Sequence, residues 1–207
     1  METYFITGIG TEVGKTIASA IVTEALEADY WKPIQAGDLD HSDTHKVKEM
    51  VSNQKTIFHP NSFALETPMS PHAAAEIDGV EIAAEKINEP KTENDLVIEG
   101  AGGLLVPIND TQTIADIIKP HHKVILVSRY YLGSINHTLL TAEALKSRGL
   151  NCIGVIFNGE KTPSSEEIIL KMTGLPTLLH IDQEENFDRE TVKRYAKKLR
   201  EALKAES

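Results

Sequence analysis

The chain has 207 residues, is 41% hydrophobic, and carries a formal net charge of −10 with a single cysteine, Cys152. That length can bury a substantial core and favours one domain, 1–207, while the acidic balance argues against a broad nucleic-acid or anionic-membrane surface. The lone cysteine, an acidic start and only short apolar runs predict a reduced, cytoplasmic protein that neither spans nor binds a membrane.

In chain order, the first predicted strand (Tyr4, Phe5, Ile6) runs into ITGIGTEVGKT, Ile6 to Thr16. Gly8, Gly10 and Gly14 are expected to let consecutive backbone N–H groups surround phosphate oxygens. Lys15 would reach the β/γ-phosphates and Thr16 would offer its hydroxyl to Mg²⁺, at the positive end of a helix predicted from Lys15 to Glu27. Ile9 stands where the usual spacing places glycine, so the loop is a lengthened variant. A second strand is predicted from Tyr30 to Gln35, delivering Lys32 either as a snorkelling edge residue or as a functional cation. Ser42-Asp43-Thr44 opens a helix to about Val51, where Asp43 either caps the helix or ligates Mg²⁺. His41 and His45 are four apart, but without a third convincing ligand they mark a solvated helix start. Asn53 to Met69 reads as loop, Ser70-Pro71 as a helix start, and Val80 to Ile87 as a further helix.

The strand Asp95 to Glu99 ends in a carboxylate followed by Gly100-Ala101-Gly102-Gly103. Such a strand either simply ends in a turn or places a second Mg²⁺ carboxylate, Glu99, opposite a phosphate loop, and the loop at Gly8 to Thr16 favours the second reading. A short helical segment follows over Thr113 to Ile118, then a strand over Lys123 to Val127. A helix predicted to run from the Gly133-Ser134 region to Ser147 begins with N–H groups suited to an anion, or simply with Ser134 as its cap. The strand Cys152 to Phe157 ends in Asn158-Gly159; a helix (Ser164 to Met172), a strand (Thr177 to Ile181) and a helix from about Asp188 to Leu203 complete the pattern. Alternating strands and helices predict an α/β fold of the P-loop NTPase kind, a parallel sheet between two helical layers. Ligands would gather beyond the strands' C-terminal ends, which the phosphate loop, Lys32, Asp43, Glu99 and Asn158 all follow.

Seven segments together resemble the dethiobiotin synthetase family: TEVGKT (Thr11 to Thr16), KPIQAG (Lys32 to Gly37), Ser42-Asp43, SPHAAA (Ser70 to Ala75), EGAGG (Glu99 to Gly103), LGSINH (Leu132 to His137) and Asn158-Gly159. The resemblance implies an ATP- and Mg²⁺-dependent homodimeric ligase that takes 7,8-diaminononanoate and CO2 or bicarbonate to dethiobiotin through a carbamate and a carbamic-phosphoric anhydride. It implies Lys15 and Lys32 as catalytic groups, and Thr16, Asp43 and Glu99 as metal ligands. Glu12, Val13, Gly14, Ile17, Gly100, Ala101, Gly102, Asn158 and Gly159 join these around the nucleotide, with Asn158 at the adenine. Thr11, Ala36, Gly133, Ser134, Ile135 and Asn136 would hold the substrate. On this reading Lys32→Ala lowers turnover by orders of magnitude and leaves folding intact.

The chain departs from the family at Gly10, commonly Asp, at Ala36, commonly Ser or Thr, and after Ile181, where Asp182-Gln183 lacks a proline often found beside adenine. The alternative from another class is a partitioning or regulatory P-loop ATPase acting through protein partners. Those proteins usually carry a signature lysine where this chain has Gly10.

Overall fold

The computed structural model describes residues 1–205. Its elements, in order, are β1 (Thr3–Gly8), α1 (Lys15–Leu26), β2 (Asp29–Trp31), β3 (Ile34–Ala36), α2 (Asp43–Met50), β4 (Phe58–His59), β5 (Phe63–Leu65), α3 (Pro71–Asp78), β6 (Leu96–Glu99), β7 (Lys123–Arg129), α4 (Ser134–Ser147), β8 (Cys152–Asn158), α5 (Pro163–Thr173), β9 (Thr177–Ile181) and α6 (Arg189–Ala205). Seven strands form a parallel sheet in the order β4-β2-β6-β1-β7-β8-β9, with β1 at its centre.

Side chains alternate across a strand, so neighbours in sequence feed opposite layers. Tyr4, Ile6, Tyr30, Val97, Ile125 and Ile156 pack with α1, α2 and α6, the last through Val192, Tyr195, Ala196 and Leu199. Phe5, Trp31, Leu96, Ile98 and Val124 face the other way, toward Ala74 and Ala75 of α3 and Leu145 of α4. Val155 and Phe157 extend that second layer to Ile169 of α5. The central strands are therefore buried on both faces, as a parallel sheet covered by helices requires.

The predicted strand Tyr30 to Gln35 is two strands. Pro33 has no N–H to donate to a ladder, so β2 stops at Trp31. The chain then leaves the main sheet, and β3 pairs in parallel with β5 as a separate two-stranded sheet, beside which Phe63 N donates to Pro33 O (2.9 Å). The segment read as loop between Asn53 and Met69 thus holds β4 and β5. The helix expected over Val80 to Ile87 is only a 3₁₀ turn, Ala84–Lys86. Gly79, at φ 68°, closes α3, and Gln112 captures the Ala84 N–H (3.0 Å), while Ile82 and Ile87 sink into the core irregularly.

Two buried carboxylates brace the edge near β2. Asp29 accepts hydrogen bonds from Thr92, Asn94 and the Ile57 N–H and contacts His59. Glu24 on α1 accepts from both the backbone and the side chains of Ser52 and Asn53, anchoring the chain that leaves α2. Buried polar groups of this kind are stable only because each acceptor is satisfied.

Candidate active site

The loop between β1 and α1 owes its shape to two left-handed residues, Glu12 (φ 57°) and Gly14 (φ 96°). Left-handed backbone is disfavoured for a residue with a Cβ, and Glu12 is held there from outside: Arg129 at the end of β7 donates to Glu12 O (3.0 Å). Asn158, at the end of β8, donates to Val13 O (2.9 Å). A Cβ on Gly14 would lie 2.2 Å from Asn158 Nδ2, so glycine is required for space as well as for φ. Gly10 differs from that expectation. It has no positive φ, and a Cβ there would meet nothing within 4 Å. What it contributes is its carbonyl, which accepts from Lys15 Nζ at 2.8 Å.

Lys15, Thr16, Lys32, Asp43 and Glu99 come together beneath this loop. Glu99 is 1% exposed; its Oε1 accepts from Thr16 Oγ1 (3.0 Å) and Lys32 Nζ (3.0 Å). Lys32 Nζ also meets Asp43 Oδ2 at 2.6 Å. Asp43 sits in the first turn of α2, where the Gln35 side chain accepts its N–H (3.3 Å) and Lys46 approaches its other oxygen (3.4 Å). Burial works to lower the Lys32 pKa, but Glu99 and Asp43 outweigh it and hold the ammonium above its usual range. The same pairing, against burial, draws Asp43 below the ordinary carboxylate value. Lys15 lacks a carboxylate contact of that kind, and burial pushes it down to about 8, with Glu99 opposing.

Lys32 is therefore no snorkelling edge residue. Asp43 is more than a helix cap as well, since the capping box of α2 is made by Ser42 and His45. His45 is thereby committed to the cap, and the exposed His41 does not join it in a metal-binding group. The His/Glu group of ligand-like spacing among the described residues is instead Glu89, His121 and His122. There His122 Nδ1 accepts the Lys119 N–H, so its Nε2 carries the proton and faces Glu89 Oε1 (3.1 Å). A nitrogen bearing a proton offers no lone pair to a metal, and the group is a latch rather than a centre.

Most of the remaining predicted site residues line two cavities beside the loop. A cleft of about 1220 Å³ beyond β7, β8 and β9 is lined by Glu12, Gly14, Ile17, Asn158, Gly159 and Gly133 to Asn136. Thr11 lines a smaller cavity of about 390 Å³ with Gly10, Gly103 and His137. Gly100 to Gly102 lead the backbone back to the loop, where a Cβ on Gly103 would be 3.3 Å from Gly10 Cα. The Val13 side chain is in the core, leaving its backbone to the loop. Ala36 packs against the second core layer next to Gln35. Gly133, at φ 102°, caps α4, so the reading of Ser134 as its cap fails: Ser134 is the first helical residue and buried.

Sequence reasoning missed Tyr30, Gln35 and Arg129. Tyr30 OH donates to Glu99 Oε2 at 2.8 Å within the protein interior, and burial with the adjacent carboxylate pushes its phenol well above the ordinary value. A signal was present: Tyr30 and Lys32 are two apart on extended chain and so share a face.

A glycine loop between the central strand and a helix, its lysine and threonine facing a carboxylate at the end of the neighbouring strand, defines a P-loop nucleotide-binding protein. Solved structures agree on the fold. The septum site-determining protein MinD of Pyrococcus horikoshii, solved with Mg-ADP, superposes with a TM-score of 0.67 at 14% identity over 98% of this chain and 95% of that one. The family described as AAA domain matches residues 2–191. The ATP-dependent dethiobiotin synthetase of Christiangramia forsetii is 60% identical over 202 residues, 98% of each chain, and that of Cytophaga hutchinsonii is 53% identical over 96% and 97%. The chain belongs to the ATP-dependent dethiobiotin synthetases, ligases that form C–N bonds. The partitioning-ATPase reading gives way accordingly, because the likeness to MinD is one of fold alone.

Proposed function

We propose that Lys15, Thr16, Lys32, Asp43 and Glu99 carry dethiobiotin synthesis in this chain, with ATP and Mg²⁺. The observation that supports this most directly is the Lys32 ammonium between Asp43 and Glu99, with Thr16 on the same Glu99 oxygen. One hydroxyl and two carboxylates are hard oxygen donors, a set that suits Mg²⁺ and few softer ions. When bound, that ion would neutralise phosphate charge during phosphoryl transfer.

One amine nitrogen of 7,8-diaminononanoate attacks the CO2 carbon and loses a proton, giving a carbamate. A carbamate oxygen then attacks the γ-phosphorus and the bond to ADP breaks. The second amine attacks the carbonyl carbon of this carbamic-phosphoric anhydride, phosphate leaves with the bonding pair, the attacking nitrogen gives up a proton to solvent or to the departing phosphate, and the ureido ring closes. Lys15 holds the β/γ-phosphates with the backbone N–H groups around Gly14. Lys32 stabilises the negative charge of the carbamate and of the transferred phosphoryl group. Glu12, Val13, Gly14, Ile17, Gly100, Ala101, Gly102, Asn158 and Gly159 surround the nucleotide; Thr11, Ala36 and Gly133 to Asn136 hold the diamine. The departures at Gly10 and Ala36 leave those contacts to water or to backbone.

Substrate dependence tests the assignment. ATP hydrolysis that rises with the diamine plus bicarbonate and forms dethiobiotin supports it; turnover indifferent to the diamine overturns it.

The same reading includes a homodimer, supported by exposed Tyr131 and Leu132 just before α4 and exposed Leu140 midway along it. Sedimentation equilibrium giving only the monomer mass would remove it. It includes one folding domain, to be seen as a single cooperative unfolding transition. It also includes a cytoplasmic location without nucleic-acid or membrane partners, checked by cell fractionation. Among the described residues no helix is long and apolar enough to cross a membrane.

A further inference from the structure

Glu99 is gripped at both oxygens, and the two grips differ in kind. Oε1 accepts from Thr16 and Lys32, side chains that the proposed function turns toward the metal, phosphates and carbamate. Oε2 accepts only from the Tyr30 hydroxyl among the hydrogen bonds of the described residues, at 2.8 Å. Tyr30 is fully buried, and its ring is fixed by the register Tyr30↔Val97 between β2 and β6 and by Phe58 at 6.0 Å. From that rung the phenol reaches one two-residue step along β6 to the Glu99 carboxylate, on the same face of the sheet.

We infer that Tyr30 is a positioning residue for the metal-side carboxylate. Its O–H occupies Oε2 and sets the plane of the group, so that Oε1 is the oxygen presented to Mg²⁺. When Thr16 and Lys32 engage their other partners, Tyr30 is the donor that stays, and without it a carboxylate 1% exposed would have neither water nor protein on Oε2. A neutral donor suits this position because it orients the carboxylate without cancelling the charge that attracts the cation. The role of Tyr30 rests on Glu99 being a metal ligand.

Calorimetric titration of ADP with and without Mg²⁺ separates the two claims. Tyr30→Phe keeps the ring and removes the donor. It should leave metal-free ADP affinity within about twofold and diminish the gain from Mg²⁺ by about tenfold, the usual effect of losing a partner of a metal ligand. Metal-free affinity doubles as the check that the variant is folded at the site. Glu99→Gln should abolish most of the Mg²⁺ gain, and adding Tyr30→Phe to it should change nothing further. A full Mg²⁺ gain in Tyr30→Phe with a diminished one in Glu99→Gln overturns the role of Tyr30 alone. A full gain in Glu99→Gln overturns the ligand assignment and this inference with it.

Discussion

Lys32→Ala tests the centre of the structure, because the residue serves stability and chemistry at once. The residue is 5% exposed, and its ammonium lies 2.6 Å from Asp43 and 3.0 Å from Glu99. Removing it leaves two carboxylates side by side with no cation between them, one of them 1% exposed. Breaking one partner out of a buried pair costs about 3–5 kcal/mol, a large part of the roughly 5–15 kcal/mol that holds a domain together. The expectation that folding is left intact is therefore revised: urea unfolding at pH 7.5 should show a clearly lower midpoint at similar slope. Lys46→Ala is the internal control. It faces the same Asp43 from a half-exposed position at 3.4 Å, where a surface pair is worth about 0.5 kcal/mol or less. Turnover of Lys32→Ala, measured where the variant is still folded, should fall by about 10²–10³-fold, the cost of losing one preorganised charge donor. If Lys32→Ala unfolds at the parent's urea midpoint, the buried pairing is not what holds these carboxylates, and the reasoning fails at its first step.

Gly14→Ala would force a Cβ to 2.2 Å from Asn158 Nδ2 at φ +96°, breaking the Asn158 to Val13 hydrogen bond and adding about 1–2 kcal/mol of backbone strain. ADP affinity by calorimetry should fall at least tenfold, with a smaller loss of melting temperature; unchanged affinity would exclude this clasp. Because burial lowers free Lys15 to about 8 and phosphates favour its charged form, nucleotide binding should take up a proton near pH 8 and weaken as pH rises through that value. Titrations in two buffers of different ionisation enthalpy read the proton directly. At the latch, burial pushes Glu89 up, but hydrogen bonds from Lys119, His122 and His121 prevail and hold it at about 2, against 4.5 unfolded. A depressed carboxylate contributes stability above its unfolded pKa and loses it as pH falls through the folded one. Discounted for the solvent that screens a partly exposed group, Glu89→Gln should therefore cost on the order of 2 kcal/mol at pH 7 and show a gap to the parent that closes between about pH 5 and 2. A constant gap across that range would refute the latch.

The sequence by itself determined the α/β class, the phosphate loop and the set of charged residues that meet there. Each of these is a local property: apolar runs of strand length, helical spacing, a Gly-Lys-Thr triplet, and acids placed just after strands, all of which the parallel order then gathers at one end of the sheet. Their family pattern was legible for the same reason, since motifs are short and contiguous. Tertiary structure alone decided what Lys32 does. A lysine between Trp31 and Pro33 looks like an edge residue until β2 is laid beside β6 and α2 brings Asp43 over it. It also decided the break at Pro33 and the collapse of the Val80 to Ile87 helix to a single turn, where Gln112, distant in sequence, takes the N–H that a helix would have used. Tyr30 and Arg129 became visible only then, because a hydroxyl or guanidinium acquires a role from the acceptor it reaches, and those acceptors lie 69 and 117 residues away along the chain.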